Sequence, residues 1–141
     1  MRALRIGVAL AFVIIAGAGW RSPRSASHHT ARAHEIRMVG DASGYRFEPA
    51  SVSIGAGDTV VFLVVSGQPH TVAFDTTAIS PGVARELAMR MRDKIGTLSG
   101  PFLLSPGDRY AISFANVPAG RYPFFCLPHL SLHMAGEVIV R

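Results

Sequence analysis

The chain has 141 residues, which is room for one domain, and its 14 Lys and Arg outnumber 9 Asp and Glu. Such an excess suggests binding to nucleic acid or to a membrane. However, five of the basic residues and none of the acidic ones precede residue 34, so nine of each remain from His34 onward. We therefore exclude nucleic acid as a partner. The single cysteine also excludes an intramolecular disulfide.

Residues 1–33 have the features of an export segment. Arg2 and Arg5 precede an uncharged run over residues 6–19, which suits a secretory signal and is shorter than the roughly 20 residues that span a bilayer. Small-residue cleavage sites follow at 16–18, 25–27 and 31–33. We predict a signal peptide and polar lead over 1–33, a folded domain over 34–141, and a periplasmic or other extracytoplasmic location. The alternative is an uncleaved N-terminus that associates loosely with a membrane.

Residues 34–141 have the pattern of short strands separated by Gly and Pro turns. The predicted strands are 35–39, 45–49, 51–54, 59–65, 70–74, 109–114, 121–126 and 136–141. The apolar, β-branched run 59–65 predicts a strand that is buried on both faces. Residues 81–95 instead repeat apolar side chains at helical spacing, with Pro81 at the first position and Gly96 as the stop. The prediction is an all-β sandwich or barrel of about eight strands with one short helical insertion.

The residues that carry chemistry lie near the C-terminus. Cys126, His129 and Met134 have the spacing C-x2-H-x4-M, and His70 follows an apolar run 56 residues upstream of the cysteine. One thiolate, two imidazoles and a weakly bound thioether are the ligands of a blue-copper electron-transfer site. Zinc competes on ligand chemistry, although structural zinc sites use Cys and His without Met. If each of these residues is considered alone, the simplest interpretation is an ordinary buried side chain.

These motifs resemble the plastocyanin/azurin-type cupredoxins over residues 35–141, and the ligand spacing is nearest to plastocyanin and pseudoazurin. The matching segments are 47–49, 54–60, 69–75, 106–108, 120–129 and 134–136. The resemblance implies a Greek-key β-sandwich that holds one type 1 copper ion. It implies that His70, Cys126 and His129 are the equatorial ligands and that Met134 is the long axial ligand.

Three features depart from the pattern of that family. Thr71 stands where the family usually has Asn, whose hydrogen bonds tie the two ligand loops together. Thr keeps a hydroxyl and the backbone N–H but reaches less far, which puts the rigidity of the loops and the reduction potential in doubt. His133 precedes Met134 and is either an exposed side chain or a group that acts on the metal, as a titrating neighbour or as a competing ligand. The helical insertion is basic rather than acidic as in plant plastocyanins, with Arg85, Arg90, Arg92 and Lys94. A solvated helix face is the simplest interpretation of that charge, and docking of an acidic partner is the other.

The resemblance implies a monomeric electron carrier with a redox partner such as a c-type cytochrome or a terminal oxidase. We predict that His129 is the electron port, within an apolar rim formed by Leu127, Pro128, Leu130 and Leu132. An enzyme is disfavoured, because copper nitrite reductases and multicopper oxidases need further ligands and the chain has no His-x-His pair. A copper carrier or chaperone without an electron-transfer role remains the alternative.

Overall fold

A computed structural model describes residues 30–141, so the predicted signal segment lies almost entirely outside the described residues. The described chain forms eight strands, one α-helix and one 3₁₀ segment. The strands are β1 Ala33–Asp41, β2 Gly44–Glu48, β3 Ser51–Ile54, β4 Thr59–Val64, β5 Ala73–Phe74, β6 Arg109–Ser113, β7 Gly120–Phe125 and β8 Ala135–Val140. Helix α1 spans Pro81–Arg90, and the 3₁₀ segment spans Leu127–Leu132. No helix within residues 30–141 is long and apolar enough to span a membrane.

The strands form two four-stranded sheets, with the orders β2-β1-β4-β6 and β3-β8-β7-β5. Each sheet contains one parallel pair, which is β1 with β4 in the first and β3 with β8 in the second. The remaining pairs are antiparallel. This arrangement confirms the predicted all-β sandwich with one helical insertion.

The core lies between the two sheets and contains an aromatic cluster. The Phe124 ring, from β7, lies 4.8 Å from the Phe47 ring and 5.2 Å from the Phe62 ring, both in edge-to-face geometry. Such edge-to-face pairs are favoured by the ring quadrupoles and add to the burial energy. These contacts join β2 and β4 of one sheet to β7 of the other, so they fix the strand from which the cysteine follows.

Strand β4 is less buried than its sequence predicts. Val60, Phe62 and Val64 face the core and are buried, whereas Val61 and Leu63 on the other face are only partly buried. The prediction that both faces are buried is therefore wrong. A sandwich has two layers, so the outer face of a sheet is covered only where another element lies over it.

Helix α1 begins as predicted but ends early. Pro81 occupies the first turn after Ser80, and the last helical residue is Arg90, so the predicted helix to Ile95 is too long. Met91 has extended dihedral angles and its side chain is buried. Tyr110 of β6 then donates a hydrogen bond to the Arg92 carbonyl over 2.8 Å, which holds the departing chain against the sheet.

A buried carboxylate fixes the beginning of the first strand. Asp58 accepts hydrogen bonds from the backbone N–H groups of Arg32 and Gly55, at 2.8 and 2.9 Å, and lies 2.8 Å from Nε2 of His34. The Thr59 N–H also donates to the Arg32 carbonyl. These contacts hold β1 beside β4, the strand that leads to the His70 segment.

Candidate metal centre

The loop between β7 and β8 brings three of the predicted ligands close together in the chain. Cys126 follows β7 directly, His129 lies within the 3₁₀ segment, and Met134 directly precedes β8. The Cys126 N–H donates to the Met134 carbonyl over 3.0 Å, and the Met134 N–H donates to the His129 carbonyl over 3.3 Å. Because β7 and β8 pair at Phe125 and Ala135, both ends of this loop are fixed by the sheet.

The fourth predicted ligand comes from the segment between β4 and β5. The His70 backbone exchanges two hydrogen bonds with Leu103, at 3.0 and 2.8 Å. Its side-chain Nε2 lies 2.8 Å from the Ser66 carbonyl oxygen. A carbonyl oxygen can only accept, so Nε2 carries the proton and Nδ1 has a free lone pair. A hydrogen bond of this kind fixes the tautomer and orientation of a metal-binding imidazole.

Three donor atoms converge in the interior. Sγ of Cys126 lies 3.6 Å from Nδ1 of His70 and 3.4 Å from Nδ1 of His129, and the three atoms are all within 4.8 Å of one another. Two donors that each bond one ion at about 2.0 to 2.3 Å must lie within roughly 4.5 Å of each other. Both sulfur–nitrogen separations satisfy this condition, so the sulfur and each imidazole are close enough to bind the same metal ion.

Burial sets the protonation of these groups in the metal-free protein. It lowers the pKa of His70 and, together with the charge of His70, that of His129. Burial also raises the pKa of the Cys126 thiol, against the opposing effect of the Thr71 N–H. The metal-free site therefore favours neutral imidazoles and a protonated thiol, and metal binding must displace the thiol proton.

Thr71 links the two ligand segments. Its backbone N–H donates to Sγ of Cys126 over 3.4 Å, and its hydroxyl oxygen accepts from the Leu127 N–H over 3.0 Å. Thr71 therefore connects the two ligand loops by hydrogen bonds although it stands where the family usually has Asn. A buried N–H that points at the cysteine sulfur stabilises its thiolate form.

Tyr45 stacks on His129, an interaction that the sequence does not indicate. The two rings are 3.8 Å apart at 21°, a parallel stack. The Tyr45 ring lies over two glycines, because a Cβ on Gly40 would be 2.6 Å from its Cε1 and one on Gly67 would be 2.9 Å away. In the sequence, Tyr45 is only one residue of a predicted strand. Its contact with His129 depends on the pairing of β1 with β2.

Met134 and His133 have different environments. The Met134 side chain is completely buried, and its backbone is bonded to both Cys126 and His129 as described above. His133 is exposed and has a left-handed backbone, with its N–H donating to the Leu130 carbonyl over 3.0 Å. Of the two interpretations of His133, the structure supports the exposed side chain.

The surroundings of His129 are apolar and exposed. Leu127, Leu130 and Leu132 are 41%, 52% and 52% exposed, whereas His129 itself is only 7% exposed. The predicted apolar rim is therefore present, but only a small part of the His129 imidazole is exposed within it. Stacking by Tyr45 contributes to this low exposure, since the stacked ring covers one face of the imidazole.

The chain is similar in sequence to several plastocyanins. It is 36% identical over 112 residues to the chloroplastic plastocyanin of Tetradesmus obliquus, covering 79% of this chain and 70% of that protein. It is 33% identical over 108 residues to the plastocyanin of Rumex obtusifolius, covering 76% of this chain and 99% of that one.

Solved structures show the same fold. The oxidised plastocyanin of Dryopteris crassirhizoma matches with a TM-score of 0.57 at 28% identity, covering 77% of this chain and all of that one. The pseudoazurin of Methylobacterium extorquens AM1 matches with a TM-score of 0.51 at 21% identity, covering 77% and 74% of the two chains.

The family model described as copper binding proteins, plastocyanin/azurin family, matches residues 34–141. Copper is thus the cofactor of the His70, Cys126 and His129 cluster, which fits one type 1 ion. The chain belongs to the plastocyanin/azurin family of copper-binding proteins.

Proposed function

We propose that this protein is a mononuclear type 1 copper electron carrier that shuttles single electrons between extracytoplasmic redox partners. The proposed ligands are His70, Cys126, His129 and Met134. The observation that carries the proposal is the buried cluster of one sulfur and two imidazole nitrogens, with sulfur–nitrogen separations of 3.4 and 3.6 Å. Soft sulfur donors with imidazole suit copper, and a Met at the fourth position is typical of electron-transfer sites.

When bound, the copper ion supplies the one-electron couple, and the polypeptide supplies a rigid frame. His70 is oriented through its Nε2–H bond to Ser66. Thr71 bonds to both the cysteine sulfur and the Leu127 N–H. Because these bonds and the β7–β8 pairing do not require the metal, the donors are held in place before it binds. A frame that is already organised reduces the rearrangement that accompanies each electron transfer.

The proposed electron port is the edge of His129 within the rim of Leu127, Leu130 and Leu132. A small apolar surface suits brief redox encounters, which bury less than about 1,200 Å² in total. The partner we propose is a c-type cytochrome or a terminal oxidase, and the carrier itself would act as a monomer. The low exposure of His129 means that a partner must contact the rim closely to approach the imidazole.

The structure favours this role over that of a copper carrier or chaperone. A protein that hands over its metal needs ligands that a recipient can reach. Here the cysteine and the first histidine are completely buried, and His129 is nearly so. The relatives reported above are plastocyanins, and the copper enzymes considered in the sequence analysis need further ligands. We therefore propose no catalytic activity.

The basic test is optical. Addition of Cu(II) to the recombinant domain should produce an intense visible absorption band from the copper–thiolate bond, and a redox titration should show one reversible single-electron couple. Cys126→Ser should abolish the band, because a hydroxyl does not replace the thiolate. A wild-type protein that folds but gives only a pale adduct would refute the proposed site.

The electron port is tested separately by adding charge to the rim. We expect Leu130→Glu to slow electron exchange with a cytochrome while the visible band remains intact. Ala119→Glu is the matched control, since Ala119 is exposed in the turn before β7, at the end of that strand opposite Cys126. Equal exchange rates in the two variants would contradict the assignment of His129 as the port.

A further inference from the structure

A cavity separate from the metal centre lies between strand β6 and the chain that leaves helix α1. Its volume is about 520 Å³, and none of the four proposed copper ligands lines it. The charged groups that line it come from both elements and are Arg90, Arg92, Asp93 and Arg109. The polar groups are Tyr110 and Ser113 of β6 and Thr59 of β4. Neither the family resemblance nor the proposed electron transfer assigns a role to this cavity.

The charge of the lining is unbalanced. Three guanidinium groups, from Arg90, Arg92 and Arg109, face one carboxylate, from Asp93. By contrast, the chain from His34 onward has equal numbers of basic and acidic residues. A concave surface lined by one sign of charge concentrates the field and attracts ions of the opposite sign. The cavity is therefore a local positive centre on a formally neutral domain.

Two of these arginines lack partners in the described part of the chain. Arg109 pairs with Glu35 over 2.7 Å, but the side chains of Arg90 and Arg92 form no hydrogen bond or ion pair with residues 30–141. The Nε atom of Arg90 is also buried and has no acceptor. Because this buried Nε does not open onto the cavity, the groups available to a ligand are the terminal guanidinium N–H donors of these two arginines.

We propose that this cavity binds an anionic oxygen group, a carboxylate or a phosphate. Guanidinium groups present a planar fork of N–H donors that matches both anions in bidentate geometry. Either a free small anion or acidic groups on a polypeptide could supply these oxygens. The cavity is lined by no metal ligand, so the proposal does not rest on the copper site or on its function.

The test is a binding titration of the full copper(I)-loaded protein. It is monitored by NMR, through the resonances of the backbone amides and of the arginine guanidinium N–H groups. The probes are inorganic phosphate for a free anion and a polyglutamate peptide for acidic groups on a polypeptide. We expect saturable shifts of the Arg90 and Arg92 guanidinium N–H resonances and of the β6 backbone amides. Saturation by phosphate alone assigns a free anion, and saturation by the peptide alone assigns a polypeptide source. Both results support the proposed chemistry.

Charge-neutral variants distinguish a built site from general electrostatics. Arg90→Gln should weaken binding at least about tenfold, the change expected when a charge-assisted hydrogen bond is lost. Arg85→Gln is the matched control, because Arg85 is exposed on the same helix and does not line the cavity. If Arg90→Gln does not fold, Arg92→Gln replaces it. Equal weakening by the cavity and control variants, or no saturable shifts with either probe, would overturn the proposal.

Discussion

The stack of Tyr45 on His129 can be measured as a free energy, because the two rings lie 3.8 Å apart and nearly parallel. An aromatic pair of this kind contributes about 0.5–1.5 kcal/mol beyond the burial of its surface. Truncation of a fully buried aromatic side chain costs about 3–5 kcal/mol, and Tyr45 is only partly buried. We therefore expect Tyr45→Ala to lower the free energy of unfolding by about 2 kcal/mol, roughly half the fully buried cost.

A double-mutant cycle isolates the contribution of the stack. Urea unfolding of the metal-free protein is measured for Tyr45→Ala, His129→Ala and the double variant. The expected coupling energy is about 0.5–1.5 kcal/mol, in the favourable sense. Use of the metal-free protein matters, because it removes the contribution of the copper–imidazole bond from the comparison.

Tyr45→Phe is the matched control, since no hydrogen bond of the Tyr45 hydroxyl within residues 30–141 would be lost. It keeps the ring, so its own effect on stability should be less than about 0.5 kcal/mol. A coupling energy for Tyr45→Ala below about 0.3 kcal/mol would mean that the two residues act independently. The stack would then not be what holds the His129 ring.

Three further predictions concern Thr71, Gly40 and Tyr110. Thr71→Val should lower stability by about 1–3 kcal/mol in urea unfolding, because the Leu127 N–H loses its acceptor, and Thr71→Ser should restore it. Gly40→Ala should lower the free energy of unfolding by about 1–3 kcal/mol in the same assay, because its Cβ would lie 2.6 Å from the Tyr45 ring. Gly82→Ala is the control, since its Cβ would have no neighbour within 4 Å, and it should be neutral or stabilising by up to about 1 kcal/mol. Burial raises the pKa of Tyr110 to about 12, so stability should fall as pH rises from the ordinary phenol value of 10 towards 12. Ultraviolet titration should show a late phenolate that is absent in Tyr110→Phe, and ionisation near pH 10 would contradict this.

The fold and the loop that carries three of the proposed ligands could be predicted because they depend on local patterns. Period-two alternation with Gly and Pro turns is a property of short segments, and it located all eight strands, although of the predicted strand 70–74 only Ala73–Phe74 is a strand. The three residues of the C-terminal ligand loop also lie within nine positions of one another, so their proximity follows from the chain itself. His70 was identified through its position after an apolar strand and through the family resemblance, because its distance from Cys126 depends on how the sheets pack.

Errors occurred where tertiary contacts decide the local structure. The apolar spacing continues to Ile95, but the helix ends at Arg90 because Met91 is buried and Tyr110 bonds to the Arg92 carbonyl. Apolar spacing at the helical period predicts that a segment is helical, but it carries no information on the tertiary contacts that end the helix. In the same way, an apolar run predicts burial of both strand faces, although Val61 and other outward residues of β4 have no second layer over them.

Thr71 shows why a departure from a family pattern must be judged in three dimensions. From the sequence, Thr lacks the reach of Asn, so its ability to connect the two ligand loops was in doubt. In the structure the backbone brings the Leu127 N–H within 3.0 Å of the threonine hydroxyl, and the Thr71 N–H lies 3.4 Å from the sulfur. The shorter side chain suffices because the sheet that carries both segments sets the distance. We therefore expect the two ligand loops of this chain to be linked through the hydroxyl and the backbone N–H of Thr71.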